Sequence, residues 1–153
     1  MARRPRLRIA GVPQHVIQRG NNRQATFFAP EDQGFYLACL QHAARRHDCA
    51  IHAYVLMTNH VHLLVTPRRP EAISLVMRDV GRRYVQYINC TYRRSGTLWE
   101  GRFKSILVSA RPGHPGGEDL HGGWAQVKCE PGPISLANLA AALYFLKRKF
   151  TRS

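Results

Sequence analysis

The sequence is short of acidic residues and has no long apolar run. Asp and Glu together number nine against 23 Lys and Arg, which gives the 153-residue chain a formal net charge of +14. This imbalance indicates a polyanionic partner, and it favours nucleic acid over a membrane because no basic amphipathic anchor stands out. No apolar run reaches the length of a membrane span or forms the apolar core of a signal peptide. We therefore expect a cytoplasmic protein without membrane contact.

The four cysteines include no Cys-x-x-Cys pair. The sequence therefore indicates neither a zinc knuckle nor a disulfide framework. The length suits one domain with its own core. We place that domain at residues 1–107, because residues 108–153 pass into a glycine- and proline-rich stretch and then a short helical pattern. This divergent linker and terminal helix are expected to join the same domain or to be partly disordered.

The periodic segments predict an α+β fold. Alternation with a period of two marks strands, and apolar residues three and four positions apart mark helices. The predicted order is strand 15–19, helix 30–47, strand 51–57, strand 60–65, helix 71–92 and strand 98–107. This order is typical of a ferredoxin-like antiparallel sheet with two helices on one face, which leaves the other face open. The first helix is expected to bury Phe35, Tyr36, Cys39, Leu40 and Ala43.

Two histidines separated by one residue, His60 and His62, lie in a run of strand-forming residues. Because side chains alternate along a strand, both imidazoles should lie on one face while Val61, Leu63 and Val65 face the core. Neutral imidazole is a common ligand of divalent metals. From the residues alone, a pair of polar surface histidines remains the alternative.

Three sequence blocks carry a family resemblance: residues 15–23, 53–64 and 98–104. In this order they resemble the single-tyrosine transposases with a His-hydrophobic-His (HUH) motif, and the REP-associated tyrosine transposases are the most similar branch. The resemblance covers about residues 1–107. It implies a ferredoxin-like fold and action on single-stranded or hairpin DNA. It also implies a divalent ion, Mg²⁺ or Mn²⁺, held by His60 and His62.

The resemblance further implies that a tyrosine hydroxyl attacks the metal-polarised phosphate and forms a 5′-phosphotyrosine intermediate. The segment that carries this tyrosine in the family has no counterpart here. Tyr144 is the only tyrosine after Phe103 and is the catalytic candidate by position alone. A packing role for Tyr144 is the alternative, and packing is also the role expected of Tyr84 and Tyr87.

The basic residues predicted to contact DNA are spread along the chain. The planar guanidinium of arginine suits phosphate groups and base edges. The candidates are Arg3, Arg4, Arg6, Arg8, Arg19, Arg23, Arg82, Arg83, Arg93, Arg94, Arg102 and Lys104.

Two other functions stay open at this point. One is a catalytically impaired relative that lacks the nucleophile and only binds single-stranded or hairpin DNA. The other is an RNA-binding sheet protein of the same topology. A homodimer also stays open. A metal-dependent covalent adduct with DNA would separate the transposase from both alternatives.

Overall fold

The structure is a computed structural model that describes residues 9–108. The predictions for Arg3, Arg4, Arg6, Arg8, Tyr144 and residues 109–153 lie outside the described residues. The elements are β1 (Gln14–Arg19), a short 3₁₀ turn (Asn21–Arg23), α1 (Pro30–Arg46), β2 (Cys49–Met57), β3 (His60–Pro67), α2 (Ala72–Thr91) and β4 (Lys104–Leu107). Within residues 9–108, no helix has the length and apolar character needed to cross a bilayer.

The four strands form one antiparallel sheet in the order β2-β3-β1-β4. Two residues, Thr58 and Asn59, join β2 to β3, which is too short for a crossover and forces a hairpin. Each helix instead connects strands that are not joined by a hairpin. This arrangement confirms the predicted ferredoxin-like α+β fold.

The core lies between one face of the sheet and the two helices. The sheet contributes Val16, Val61, Leu63 and Val65, all at most 2% exposed. The helices pack on these side chains through the residues that share the core cluster: Tyr36, Cys39, Leu40, Ala43, Ile73, Val76, Met77, Val80, Tyr84 and Ile88. Burial of this apolar surface is the main stabilising contribution to the fold.

A buried carboxylate fastens the start of α1 to the end of α2. Asp32 accepts hydrogen bonds from the Phe28 and Ala29 amides and from the Tyr87 and Tyr92 hydroxyls. Burial alone would raise the pKa of Asp32, but these four hydrogen bonds favour the ionised form and hold the pKa below its ordinary value.

Two sequence predictions about the fold are wrong in detail. Phe35 is 38% exposed rather than buried, because α1 turns its neighbour Tyr36 into the core instead. The last strand is also shorter than predicted, since only Lys104–Leu107 pairs with β1. Residues 98–103 bend away through Gly101, whose φ of 65° breaks the strand, although Trp99 still forms a single bridge to Gly20.

Candidate functional site

The strand register places both predicted metal ligands on the sheet face opposite the helices. His60 lies opposite Arg19 of β1, and His62 lies opposite Ile17. The intervening Val61 faces the core and is fully buried. The predicted alternation along β3 is therefore confirmed, and we refer to this side of the sheet as the histidine face.

Three imidazoles stand close together on the histidine face. The ring centroids of His60 and His62 are 4.9 Å apart. His15 of β1 stacks on His62 with centroids 5.2 Å apart, and His15 Nε2 lies 2.9 Å from His62 Nδ1. The sequence predicts no metal ligand at His15, and the structure places His15 within hydrogen-bonding distance of a predicted ligand.

The environment of the two histidines favours the neutral imidazole. Burial, His15, His60 and Arg19 together lower the pKa of His62 to about 4. Burial and Arg19 also lower the pKa of His60. Both rings are thus neutral near pH 7, which is the form that binds a metal.

The histidine face is less open at this point than the sequence predicted. His62 is only 5% exposed, and Leu64 on the same face is 7% exposed. Two ring contacts contribute to the burial of His62: the His15 ring stacks on it, and the His60 ring meets it edge to face.

Asn59 sets the orientation of His60, which the sequence analysis missed. Its side-chain Nδ2 donates to the Arg23 carbonyl over 3.2 Å, and its Oδ1 lies 2.6 Å from His60 Nδ1. An amide oxygen can only accept, so His60 carries its proton on Nδ1 and its Nε2 keeps the lone pair. The only sequence signal was an asparagine in the two-residue turn directly before the histidine motif.

Gly20 allows the loop after β1 to reach the turn that contains Asn59. The Gly20 amide donates to the Asn59 carbonyl over 2.7 Å. A Cβ atom at Gly20 would lie 2.3 Å from the Gln24 carbonyl oxygen and 2.7 Å from the Thr26 methyl carbon. Glycine is therefore required here by close packing, since no other residue could occupy this position without moving the loop.

His60 and His62 supply two of the ligands that a divalent ion needs. Two neutral imidazoles, one held in a single tautomer by a hydrogen-bonded amide, are ordinary metal ligands with a supporting second layer. Within residues 9–108, however, no group of three or more His, Cys, Asp or Glu side chains is placed to hold a metal. The carboxylate of Glu100, in the loop before β4, therefore completes no such group with His60 and His62.

Every tyrosine that the structure describes lies on the helix side of the sheet. Tyr36 and Tyr84 are fully buried in the core, and Tyr54 lies opposite the core residue Leu63 in the β2–β3 ladder. Tyr87 and Tyr92 donate to Asp32. The expectation that Tyr84 and Tyr87 pack rather than react fits these positions.

The predicted DNA-contacting residues fall into two groups. Arg19 and Lys104 belong to the histidine face by register, and Arg23 and Arg102 are exposed in the loops beside it. The others lie on α2 or just after it: Arg82, Arg83, Arg93 and Arg94. Arg94 lies over the Phe28 ring, with its guanidinium carbon 5.3 Å from the ring centroid.

Known proteins resemble this chain in family and in fold. The sequence model of the family described as IS200-like transposase matches residues 9–113. A REP-associated tyrosine transposase bound to a REP hairpin superimposes with a TM-score of 0.59 and 17% identity, over 71% of this chain and 63% of that chain. A candidate transposase from Deinococcus radiodurans superimposes with a TM-score of 0.53 and 20% identity, over 71% and 87%. No curated protein matches the sequence.

The extent of these matches limits what each one shows. This chain spans less than two thirds of the REP-associated transposase, and both structural matches have low identity. They therefore show a shared fold. The family match covers more than half of the chain and includes both histidines and Asn59.

Proposed function

Because the chain belongs to the IS200-like transposase family, we propose that it acts on single-stranded or hairpin DNA through a divalent ion, Mg²⁺ or Mn²⁺, at His60 and His62. The observation that carries this proposal is the pair of adjacent imidazoles on the histidine face, with ring centroids 4.9 Å apart and His60 oriented by Asn59. The REP-associated relative is bound to a REP hairpin, which supports hairpin DNA as the partner.

In this proposal His60 offers its Nε2 atom, and His62 is the second ligand. Asn59 occupies Nδ1 of His60, and His15 occupies Nδ1 of His62. The ion, when bound, supplies charge stabilisation to a phosphate oxygen. Arg19 and Lys104 would hold neighbouring phosphates, because the strand register places both on the histidine face. The exposed Arg23 and Arg102 would hold phosphates further along the strand.

The nucleophile in this proposal is Tyr144. The tyrosines of residues 9–108 all lie on the far side of the sheet, so none of them is in line with a phosphate at the histidine pair. The same observation favours a second candidate function, a DNA-binding relative with weak or no cleavage. We expect weak or no cleavage by this chain. The segment that carries the catalytic tyrosine in the family has no counterpart here, so Tyr144 is a candidate only because of its position in the sequence.

The metal site is tested by calorimetry with Mn²⁺. The double variant His60→Ala/His62→Ala should lose Mn²⁺ binding, whereas His42→Ala, an exposed histidine of α1, should bind as the wild type does. Since His62 is buried, the stability of each variant is measured in parallel. Unchanged Mn²⁺ binding by a folded double variant would remove the site.

The nucleophile is tested by incubating the full chain with labelled hairpin DNA and Mg²⁺ or Mn²⁺ and seeking an SDS-resistant adduct. A strong adduct that disappears in Tyr144→Phe would establish the transposase reaction and contradict the expected weak cleavage. An adduct that survives this change but disappears in Tyr84→Phe or Tyr87→Phe would refute the assignment of Tyr144. Equal or tighter binding of an RNA strand would favour the RNA-binding alternative.

A further inference from the structure

The outer surface of the helix layer contains two adjoining depressions. They share Ala38 and His42 of α1. Arg45 and Arg46 line one depression, and Phe35 and Arg83 line the other. We call this surface the helix groove and define it by Phe35, Ala38, His42, Arg45, Arg46 and Arg83. It lies on the side of the sheet opposite the histidine pair.

The helix groove is positively charged without internal compensation. Arg45, Arg46 and Arg83 are all exposed, and no acidic side chain lines either depression. Within the described part of the chain, the ion pairs join Asp79 to His47 and to Arg78, so no carboxylate pairs with these three arginines. Three exposed guanidinium groups along one groove suit successive phosphates.

The groove also contains a fixed aromatic surface. Phe35 is 38% exposed and stacks on Tyr87, with ring centroids 4.1 Å apart and an interplanar angle of 16°. The Tyr87 hydroxyl donates to Asp32, and this hydrogen bond holds the Tyr87 ring in place beneath Phe35. An exposed aromatic ring beside arginines is the combination that binds single strands, because an unpaired base can stack on it.

We propose that the helix groove binds a segment of single-stranded DNA, with phosphates on Arg45, Arg46 and Arg83 and a base stacked on Phe35. This surface is separate from the histidine pair, and it rests on the proposed function in taking DNA as the partner. A duplex could present phosphates to the arginines, but its paired bases would not be free to stack on Phe35.

Two groove variants have different expected signatures in fluorescence anisotropy with a labelled oligodeoxythymidine. Arg45→Gln/Arg83→Gln should flatten the log–log salt slope by about 1.4, since each phosphate contact on a single strand contributes about 0.7. Phe35→Leu keeps an apolar side chain on Tyr87 and leaves the slope unchanged. It should weaken binding by at least about fivefold through lost stacking. Arg68→Gln/Arg69→Gln, exposed after β3, removes the same charge as a control.

Cys90 supplies a second readout because its exposed side chain also lines the depression with Phe35. Saturating oligodeoxythymidine should slow alkylation of Cys90, measured by mass spectrometry of its peptide, in the wild type and in His60→Ala/His62→Ala. Protection should be lost in Arg45→Gln/Arg83→Gln, and a duplex of equal length should protect less.

The proposal is overturned if the groove and control variants have equal salt slopes, or if single strands leave Cys90 alkylation unchanged. Equal protection by duplex would also overturn it, because it would show backbone contact without stacking. Failure of the proposed metal site would appear as absent Mn²⁺ binding by the wild type. Such a result would leave the anisotropy and alkylation results of the groove unaffected.

Discussion

Replacing Asn59 by alanine is expected to weaken metal binding at His60, because His60 loses the side chain that orients it. The change removes two hydrogen bonds, from Asn59 Nδ2 to the Arg23 carbonyl and from His60 Nδ1 to Asn59 Oδ1. Without the amide oxygen, the His60 proton can move to Nε2 and the ring can rotate. Loss of such a supporting partner typically lowers metal affinity by about 10- to 100-fold, or about 1.4–2.7 kcal/mol.

The effect on stability is separated from the effect on metal binding by a control that loses a hydrogen bond away from the histidine pair. Each partly solvated hydrogen bond contributes about 0.5–1.5 kcal/mol. Asn89→Ala removes a comparable bond, from Asn89 Nδ2 to the Gly96 carbonyl over 3.1 Å, next to the end of α2. Because Asn89→Ala removes one such bond and Asn59→Ala removes two, we expect Asn89→Ala to lower the unfolding free energy by about half as much, without changing Mn²⁺ affinity.

The assay is Mn²⁺ calorimetry on wild type, Asn59→Ala, Asn59→Asp and Asn89→Ala, with urea unfolding of each protein. Asn59→Asp should keep much of the affinity, because a carboxylate oxygen also accepts from His60 Nδ1. Wild-type Mn²⁺ affinity in Asn59→Ala would refute the orienting role. Equal losses of Mn²⁺ affinity in Asn59→Ala and Asn89→Ala would show that the weaker binding arises from general destabilisation.

Three further predictions concern the fold around the site. Gly20→Ala should lower the unfolding free energy by about 1–3 kcal/mol, because the new Cβ would overlap the Gln24 carbonyl. Gly34→Ala, at an uncrowded position of α1, should raise the unfolding free energy by about 0.5–1 kcal/mol. Equal effects of the two variants in urea unfolding would contradict this. Tyr36→Phe should be neutral or stabilising because the buried Tyr36 hydroxyl lacks a partner, whereas Tyr84→Phe should destabilise by about 1 kcal/mol or more through loss of its bond to the Thr26 carbonyl. Reversed signs in thermal unfolding would exclude that account. The pKa of Asp32 is lowered in the folded state, so its ionised form stabilises the fold above the unfolded-state pKa of about 3.9. This stabilisation is lost as the pH falls through the folded-state pKa. Asp32→Asn should therefore flatten the acid side of the curve of stability against pH, and an unchanged curve would contradict this.

The sequence was sufficient to place His60 and His62 because the evidence for a strand is local. Alternation around Val61 fixes which side chains share a face, and this needs no knowledge of other strands. The link from Asn59 to Arg23 could not be predicted in the same way. It depends on the loop after β1 meeting the β2–β3 turn, and these segments are 36 positions apart.

The errors have equally local causes. Phe35 and Tyr36 are adjacent apolar residues about 100° apart around α1, so spacing alone could not decide which one enters the core. The sequence predicts a last strand that begins near Leu98, after the break at Ser95 and Gly96. Only the backbone shows that Gly101 interrupts it, while Leu98 and Trp99 remain buried without pairing as a regular strand.

The buried Tyr84 of α2 connects the helix layer to the turn that precedes the histidine pair. The Tyr84 hydroxyl donates to the Thr26 carbonyl over 2.7 Å, and the Thr26 amide donates to the Thr58 carbonyl over 2.7 Å. Thr58 and Asn59 form the turn that leads directly into His60. A chain of backbone and side-chain hydrogen bonds thus runs from the core of α2 to the tip of the hairpin. The turn that orients His60 is therefore held by buried contacts on one side and by Arg23 and Gly20 on the other.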